Sequence, residues 1–202
     1  MSSIDSREKL SWDACLPNTE TRSGPFVARC YTSNDRTGHG VWWMDDQPHL
    51  ILTSLEGTPD QVWPTSPTLQ EIVAETVAAG RQPSLLGVGM AGKSHWSATI
   101  EGDGFSEAIA FDIACRTAEA PALLGSAYLL SADWKAERLA ESSLLLVHKN
   151  GYQAIIDTIG QCALAWAGAN IAMKPWLDAT LHQRGKTYRW RYVLKKEQGN
   201  HD

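Results

Sequence analysis

The sequence predicts a mainly β protein, an antiparallel sandwich or barrel of about 8–10 strands with one or two short helices. Three observations lead there. Apolar residues recur with period two in short runs, turn signals separate those runs at short intervals, and two of the runs alternate over seven residues or more. A chain of 202 residues with 43% hydrophobic and 20% charged residues can bury one sizeable core.

The elements follow in order. Residues 1–22 are polar and irregular and read as an arm, 23–197 as one β-rich domain, and 198–202 as a disordered tail. Phe26 to Thr32 is a strand, Asn34 to Gly38 a turn, His39 to Met44 a second strand and His49 to Leu55 a third, closed by Gly57-Thr58-Pro59-Asp60. Thr68 to Ala79 is the preferred helix. Ser66 suits an N-cap, Pro67 the first helical position and Gly80 the C′ position, with Leu69, Ile72, Val73, Thr76 and Val77 as the buried stripe. The same stretch also supports a strand from Ile72 to Val77.

Ser94 to Ile100 places Trp96, Ala98 and Ile100 on one face and His95, Ser97 and Thr99 on the other. Ala108 to Arg116 opposes Ile109, Phe111, Ile113 and Cys115 to Ala110, Asp112 and Ala114, so the two form a hairpin with one apolar face. Leu123 to Leu130 is a further strand, and Asp133 to Glu141 a short helix or loop. Leu144 to Lys149 and Tyr152 to Ile159 flank Asn150-Gly151, a two-residue hairpin turn. The last pair is Ala179 to Gln183 and Thr187 to Lys195. Tyr188, Trp190, Tyr192 and Leu194 form its core stripe; Arg189, Arg191 and Lys195 form a solvated face or guard an edge.

Composition excludes several classes. No apolar run reaches the roughly 18 residues of a membrane span, and Met1 to Lys9 lacks a signal-peptide core, so the expected location is cytoplasmic. Cys15, Cys30, Cys115 and Cys162 are too scattered for a zinc site, and His39, His49, His148 and His182 show no ligand spacing; no metal or cofactor is expected. The net charge is −5, yet six of the 18 basic residues fall between Arg184 and Lys196 without an acid among them. One basic strand on an acidic body argues against general nucleic-acid binding.

Gly87-Val88-Gly89-Met90-Ala91-Gly92-Lys93-Ser94 fits the Walker A pattern. In a P-loop the Gly87 and Gly92 backbone would cradle phosphate, Lys93 would neutralise it, Ser94 would hold Mg²⁺, and Asp112 could end a Walker B strand. A P-loop must open into a helix, however, and the residues after Ser94 alternate as a strand. Glycines that permit a bulge or close packing are the plainer account.

Two weaker constellations remain. If Trp96 faces Phe111 across the hairpin, His95 stands opposite Asp112, a pair able to serve as an oriented general base; a shift by two places Asp112 opposite Ser97. Nine tryptophans are also an excess, and adjacent Trp42 and Trp43 must point to opposite faces of their strand. Either the sheet is covered on both sides, or one indole meets solvent or a ligand. The leading expectation is a noncatalytic module binding a small ligand or a protein partner through an aromatic-bearing sheet face, with Trp42, Trp43 and His95 as ligand-binding candidates. A P-loop enzyme is the alternative, and an exposed sheet could also pair with a second copy.

Overall fold

The computed structural model describes residues 10–76, 81–103, 106–176 and 185–197. After a 3-10 turn at Trp12–Ala14, fifteen strands follow: β1 Glu20–Ser23, β2 Phe26–Ser33, β3 Arg36–Met44, β4 Pro48–Ser54, β5 Glu71–Glu75, β6 Ser84–Ala91, β7 Ser94–Asp103, β8 Ala108–Arg116, β9 Ser126–Leu130, β10 Trp134–Ala140, β11 Ser143–His148, β12 Gln153–Ile159, β13 Cys162–Ala167, β14 Asn170–Pro175 and β15 Thr187–Lys196. They form two antiparallel sheets. One runs β1-β2-β3-β4-β9-β14-β13, the other β10-β11-β12-β15-β8-β7-β6-β5. Among the described residues no helix is long and apolar enough to cross a membrane.

The alternation read from sequence fills the space between the sheets. Trp96, Ile100, Phe111 and Ile113 of the eight-stranded sheet join Tyr188, Trp190, Tyr192 and Leu194 of β15, and meet Phe26, Ile51 and Tyr128 of the seven-stranded sheet in one buried cluster. At the upper usual coefficient of about 3 kcal/mol for a fully buried large apolar side chain, this is the dominant stabilising layer. Both faces of β3 are covered, because the segment around Leu10 and Trp12 lies on the outer face of the seven-stranded sheet against Trp42 and Leu50. Trp12 meets Trp42 edge to face at 5.4 Å, and Arg29 sits 4.1 Å over the Trp12 ring.

Several expected elements differ. The helix over Thr68–Ala79 does not form: Glu71–Glu75 is edge strand β5, paired only with β6, and residues 77–80 lie outside the described set. The helical stripe required Val73 to be buried, whereas it is 52% exposed, and β-branched Ile72 and Val73 suit the strand. Ser66 caps no helix; its hydroxyl instead exchanges hydrogen bonds with the Ala127 backbone, tying the segment to β9. Within the Asp133 to Glu141 stretch, Trp134–Ala140 is strand, neither helix nor loop, and β13 and β14 add a hairpin that the alanines of β13 conceal. With these short strands the described residues hold fifteen where about 8–10 were expected.

The Asn150-Gly151 turn is longer than two residues. Gly151 alone of the two takes positive φ, at 91°, and its N–H donates to His148 O, with the strands ending at His148 and resuming at Gln153. The proposed Ala179–Gln183 strand lies outside the described residues, and β15 pairs with β12 and β8 instead. Because β15 is internal, its cations guard no edge.

Candidate functional site

The Walker-like segment is a hairpin. Gly87 and Gly89 belong to β6, Gly92 and Lys93 make the turn, and Ser94 opens β7, which continues as strand to Asp103. No helix N-terminus follows, so the phosphate-binding field of a P-loop is missing and that alternative is withdrawn. Each glycine has another cause. A Cβ on Gly89 would run into the Thr68 carbonyl oxygen and come 2.9 Å from Gln70 N, and one on Gly87 would come 2.9 Å from Leu69. The 68–70 segment packs there because Gln70 N–H donates to Val88 O and the Gln70 side chain accepts from Met90 N–H, both at 2.9 Å. Gly92 takes φ +57°, which the turn requires.

The expected His95–Asp112 pair is also corrected. In the observed register His95 faces Arg116, and Asp112 faces Thr99. The hairpin does not break at Glu101; β7 runs on to Asp103, which pairs with Ala108 and moves the register by four residues. β1 fixes that end: Gly102 N–H donates to Thr21 Oγ1 at 3.1 Å, and Ser23 bonds the backbones of both Asp103 and Ala108. Asp112 is held instead by Arg189, in a two-pronged pair, and by Arg191 at 3.2 Å. It is the counter-ion of these two arginines.

Trp42 and Trp43 do point to opposite faces, and both are inside, at 1% and 8% exposure. Trp42 lies beneath Trp12. Trp43 stacks on Tyr152 at 5.2 Å, and Tyr152 stacks in turn on His148 at 5.3 Å while its hydroxyl donates to Asp45. Neither indole offers a surface to a ligand.

Sequence inspection missed a polar network between the sheets. His39 Nε2 and the Tyr192 hydroxyl each lie 2.6 Å from the Tyr128 hydroxyl. Burial lowers the His39 pKa to about 4, so the ring is neutral, and burial holds both phenols well above their ordinary range. Beside them Glu56 Oε2 is buried without a hydrogen-bond partner among the described residues. Its carboxyl is pushed up to about 7 by burial, against the opposing Ser54 hydrogen bond and the charge of Arg36. The cavity between His39, Glu56, Leu69 and Tyr192 holds about 10 Å³, the room of one water molecule. No substrate fits there, so the network is interior structure.

One accessible group of charged side chains lies on the outer face of the eight-stranded sheet. Lys93, His95 and Arg116 line a broad, shallow recess of about 330 Å³ with Thr117, Ala118 and Gly185. Its rim is fixed where Thr117 N–H donates to Lys186 O and Gly185 N–H to Thr117 O, both at 2.9 Å. Among the described residues neither Lys93 nor Arg116 pairs with a carboxylate, unlike Arg189, Arg191, Lys195 and Lys196. His95 and Arg116 stand directly opposite across β7 and β8, a placement that costs energy when both are charged and is relieved by an anion between them. Among the described residues no three His, Cys, Asp or Glu side chains gather to hold a metal ion.

The two sheets and their topology define a β-sandwich-like protein. Neither a protein-family model nor a curated protein matches the chain. Among solved structures, the fold is similar to the crystal structure of a heparan sulfate lyase HepC mutant from Pedobacter heparinus, with a TM-score of 0.53 and 9% sequence identity over 91% of this chain. The match spans 37% of that protein's length, and at this identity the likeness is one of fold.

Proposed function

We propose that the chain is a noncatalytic β-sandwich module that binds an anionic group, carboxylate, sulfate or phosphate, in the Lys93–His95–Arg116 recess. One observation carries the reading: two permanent cations and a histidine converge on one accessible recess, without acidic partners among the described residues, in a chain of net charge −5. On the outer face of β15, Arg189 and Arg191 are matched by Asp112 and Lys195 by Asp157, whereas among the described residues no carboxylate pairs with Lys93 or Arg116. A noncatalytic role fits the disposition of the titratable groups. Asp112 is clamped by two arginines, and His39 and Glu56 border a cavity too small for substrate. Four buried thiols without a disulfide accord with a reducing, cytoplasmic setting.

The test is a titration of the isotopically labelled protein with sodium sulfate and sodium phosphate at constant ionic strength, read by amide NMR. Shifts should concentrate at Lys93, His95, Arg116 and Thr117 and vanish in Lys93→Glu/Arg116→Glu. Uniform small shifts, or shifts that survive the double variant, would refute the site. The solved structure of similar fold bears the name of a heparan sulfate lyase, so a heparan sulfate fragment is the first natural polyanion to add.

A further inference from the structure

We infer that the ligand of this face is an amphiphilic anion, a carboxylate with an aliphatic chain, whose head enters the recess and whose chain lies along β6. The inference rests on the recess being an anion site and adds to it the class of molecule. β6 alternates strictly: Gly87 and Gly89 face the 68–70 segment, while Leu86, Val88 and Met90 face outward at 38%, 51% and 44% exposure. Such large apolar side chains in one row are unusual on a solvated sheet face and mark an interaction surface. Val73 of β5, 52% exposed, pairs with Leu86 and widens the strip.

The strip and the recess are continuous. Met90 is the direct cross-strand partner of His95, which in turn faces Arg116. From Met90 to Leu86 the outward residues span about 13 Å, the reach of a medium-length alkyl chain. The flanking β7 positions Ser97 and Thr99, opposite Val88 and Leu86, are uncharged and leave the strip a shallow, neutral bank. Charge fixes the direction. Cations gather at the Met90 end, whereas the carboxylates of β5 lie further along the strip, Glu71 opposite Val88 and Glu75 opposite Ser84 beyond Leu86, so an anionic head is drawn to the recess and repelled from the far end. A purely polar polyanion would use the cations and gain nothing from Met90, Val88 and Leu86.

The experiment titrates the full chain, labelled at methionine methyls and backbone amides, with inorganic phosphate and with butanoate, hexanoate, octanoate and decanoate below their aggregation concentrations. Recess amides should shift with every anion, and the Met90 methyl only with the longer carboxylates. Affinity should rise about twofold per added methylene, half the logarithmic gain of full burial, because one side of the chain stays in water. In Val88→Thr/Met90→Ser, both exposed positions that leave the core intact, this chain-length gain should disappear while phosphate affinity holds. Carboxylates that bind no tighter with length, or a gain that survives the double variant, would overturn the amphiphile. A heparan sulfate fragment that displaces decanoate and outbinds it without moving Met90 would do the same, leaving the anion site standing. If phosphate itself fails to shift the recess, the anion site falls.

Discussion

Glu56→Gln should stabilise the protein at pH 8 and leave its stability unchanged near pH 4. Glu56 titrates near 7 in the folded chain against 4.5 for the ordinary carboxyl, because burial disfavours its charged form more than Ser54 and Arg36 favour it. At 1.36 kcal/mol per unit, the difference amounts to roughly 3 kcal/mol. The sign follows from which state holds the proton. Between pH 4.5 and 7 the native protein keeps it and the unfolded chain releases it, so the stabilising contribution is complete below pH 4.5 and lost as pH rises through 7. Glutamine does not titrate, so the variant's advantage should grow across that window and level off above it. His39, lowered to about 4, acts in the opposite sense: its contribution is complete above pH 6.5 and lost as pH falls through 4. In the native protein the two slopes largely cancel between pH 4.5 and 6.5; in Glu56→Gln only the histidine slope remains, and stability should fall on acidification. Urea unfolding followed by tryptophan fluorescence at pH 4.5, 6 and 8 gives these differences directly. A variant less stable than the parent at pH 8, or a difference that ignores pH, would refute the account.

Other substitutions separate the remaining roles. Gly89→Ala should cost roughly 1–3 kcal/mol in the same unfolding assay, since its Cβ meets the Thr68 and Gln70 backbone, and Gly92→Ala about 1–2 kcal/mol for its positive φ. Tyr128→Phe removes the hydroxyl shared by His39 and Tyr192 and should cost about 1–3 kcal/mol, whereas Asp112→Asn, which frees two exposed arginines, should cost under about 1 kcal/mol and less at high salt. Mg-ATP should leave the melting temperature of both the parent and Lys93→Ala unmoved; a rise confined to the parent would restore the P-loop.

The inward faces were legible because each long strand carries a complete period-two pattern. Trp96, Ile100, Phe111, Ile113 and the Tyr188–Leu194 stripe are buried where alternation put them. What alternation cannot specify is register, since a hairpin slipped by an even number of residues keeps the same faces inward. The His95–Asp112 pair failed on that ambiguity, which only the loop length and the Thr21 and Ser23 hydrogen bonds resolve. The same slip hid Arg116, whose place opposite His95 builds the recess. Around β5 the sequence carries both a helical stripe with a plausible cap and a strand from Ile72; Ser66 gives its hydroxyl to β9, and Glu71–Glu75 is strand. The interior network was illegible for another reason: His39, Glu56, Tyr128 and Tyr192 come from distant parts of the chain and meet only when the sheets close.

The Walker-like string shows how one strand can serve both sides of a sheet. Its glycines are placed by what packs beneath them: the 68–70 backbone crosses so close that no side chain fits at 89, and one at 87 would press on the Leu69 side chain. That crossing is held by the Gln70 hydrogen bonds to Val88 and Met90, and the strand's alternation turns Leu86, Val88 and Met90 to the other side. Once glycine occupies the inward positions, strand stability must come from the remaining side chains, and Leu86, Val88 and Met90 supply bulky, strand-compatible neighbours for β5 and β7. Edge stability alone would be met by threonine, which keeps the β-branch without exposing aliphatic surface. Val88→Thr/Met90→Ser therefore distinguishes the two demands. Stability should hold within about 0.5 kcal/mol while the chain-length dependence of binding is lost; a chain-length dependence that survives the double variant would leave the strip no role in binding.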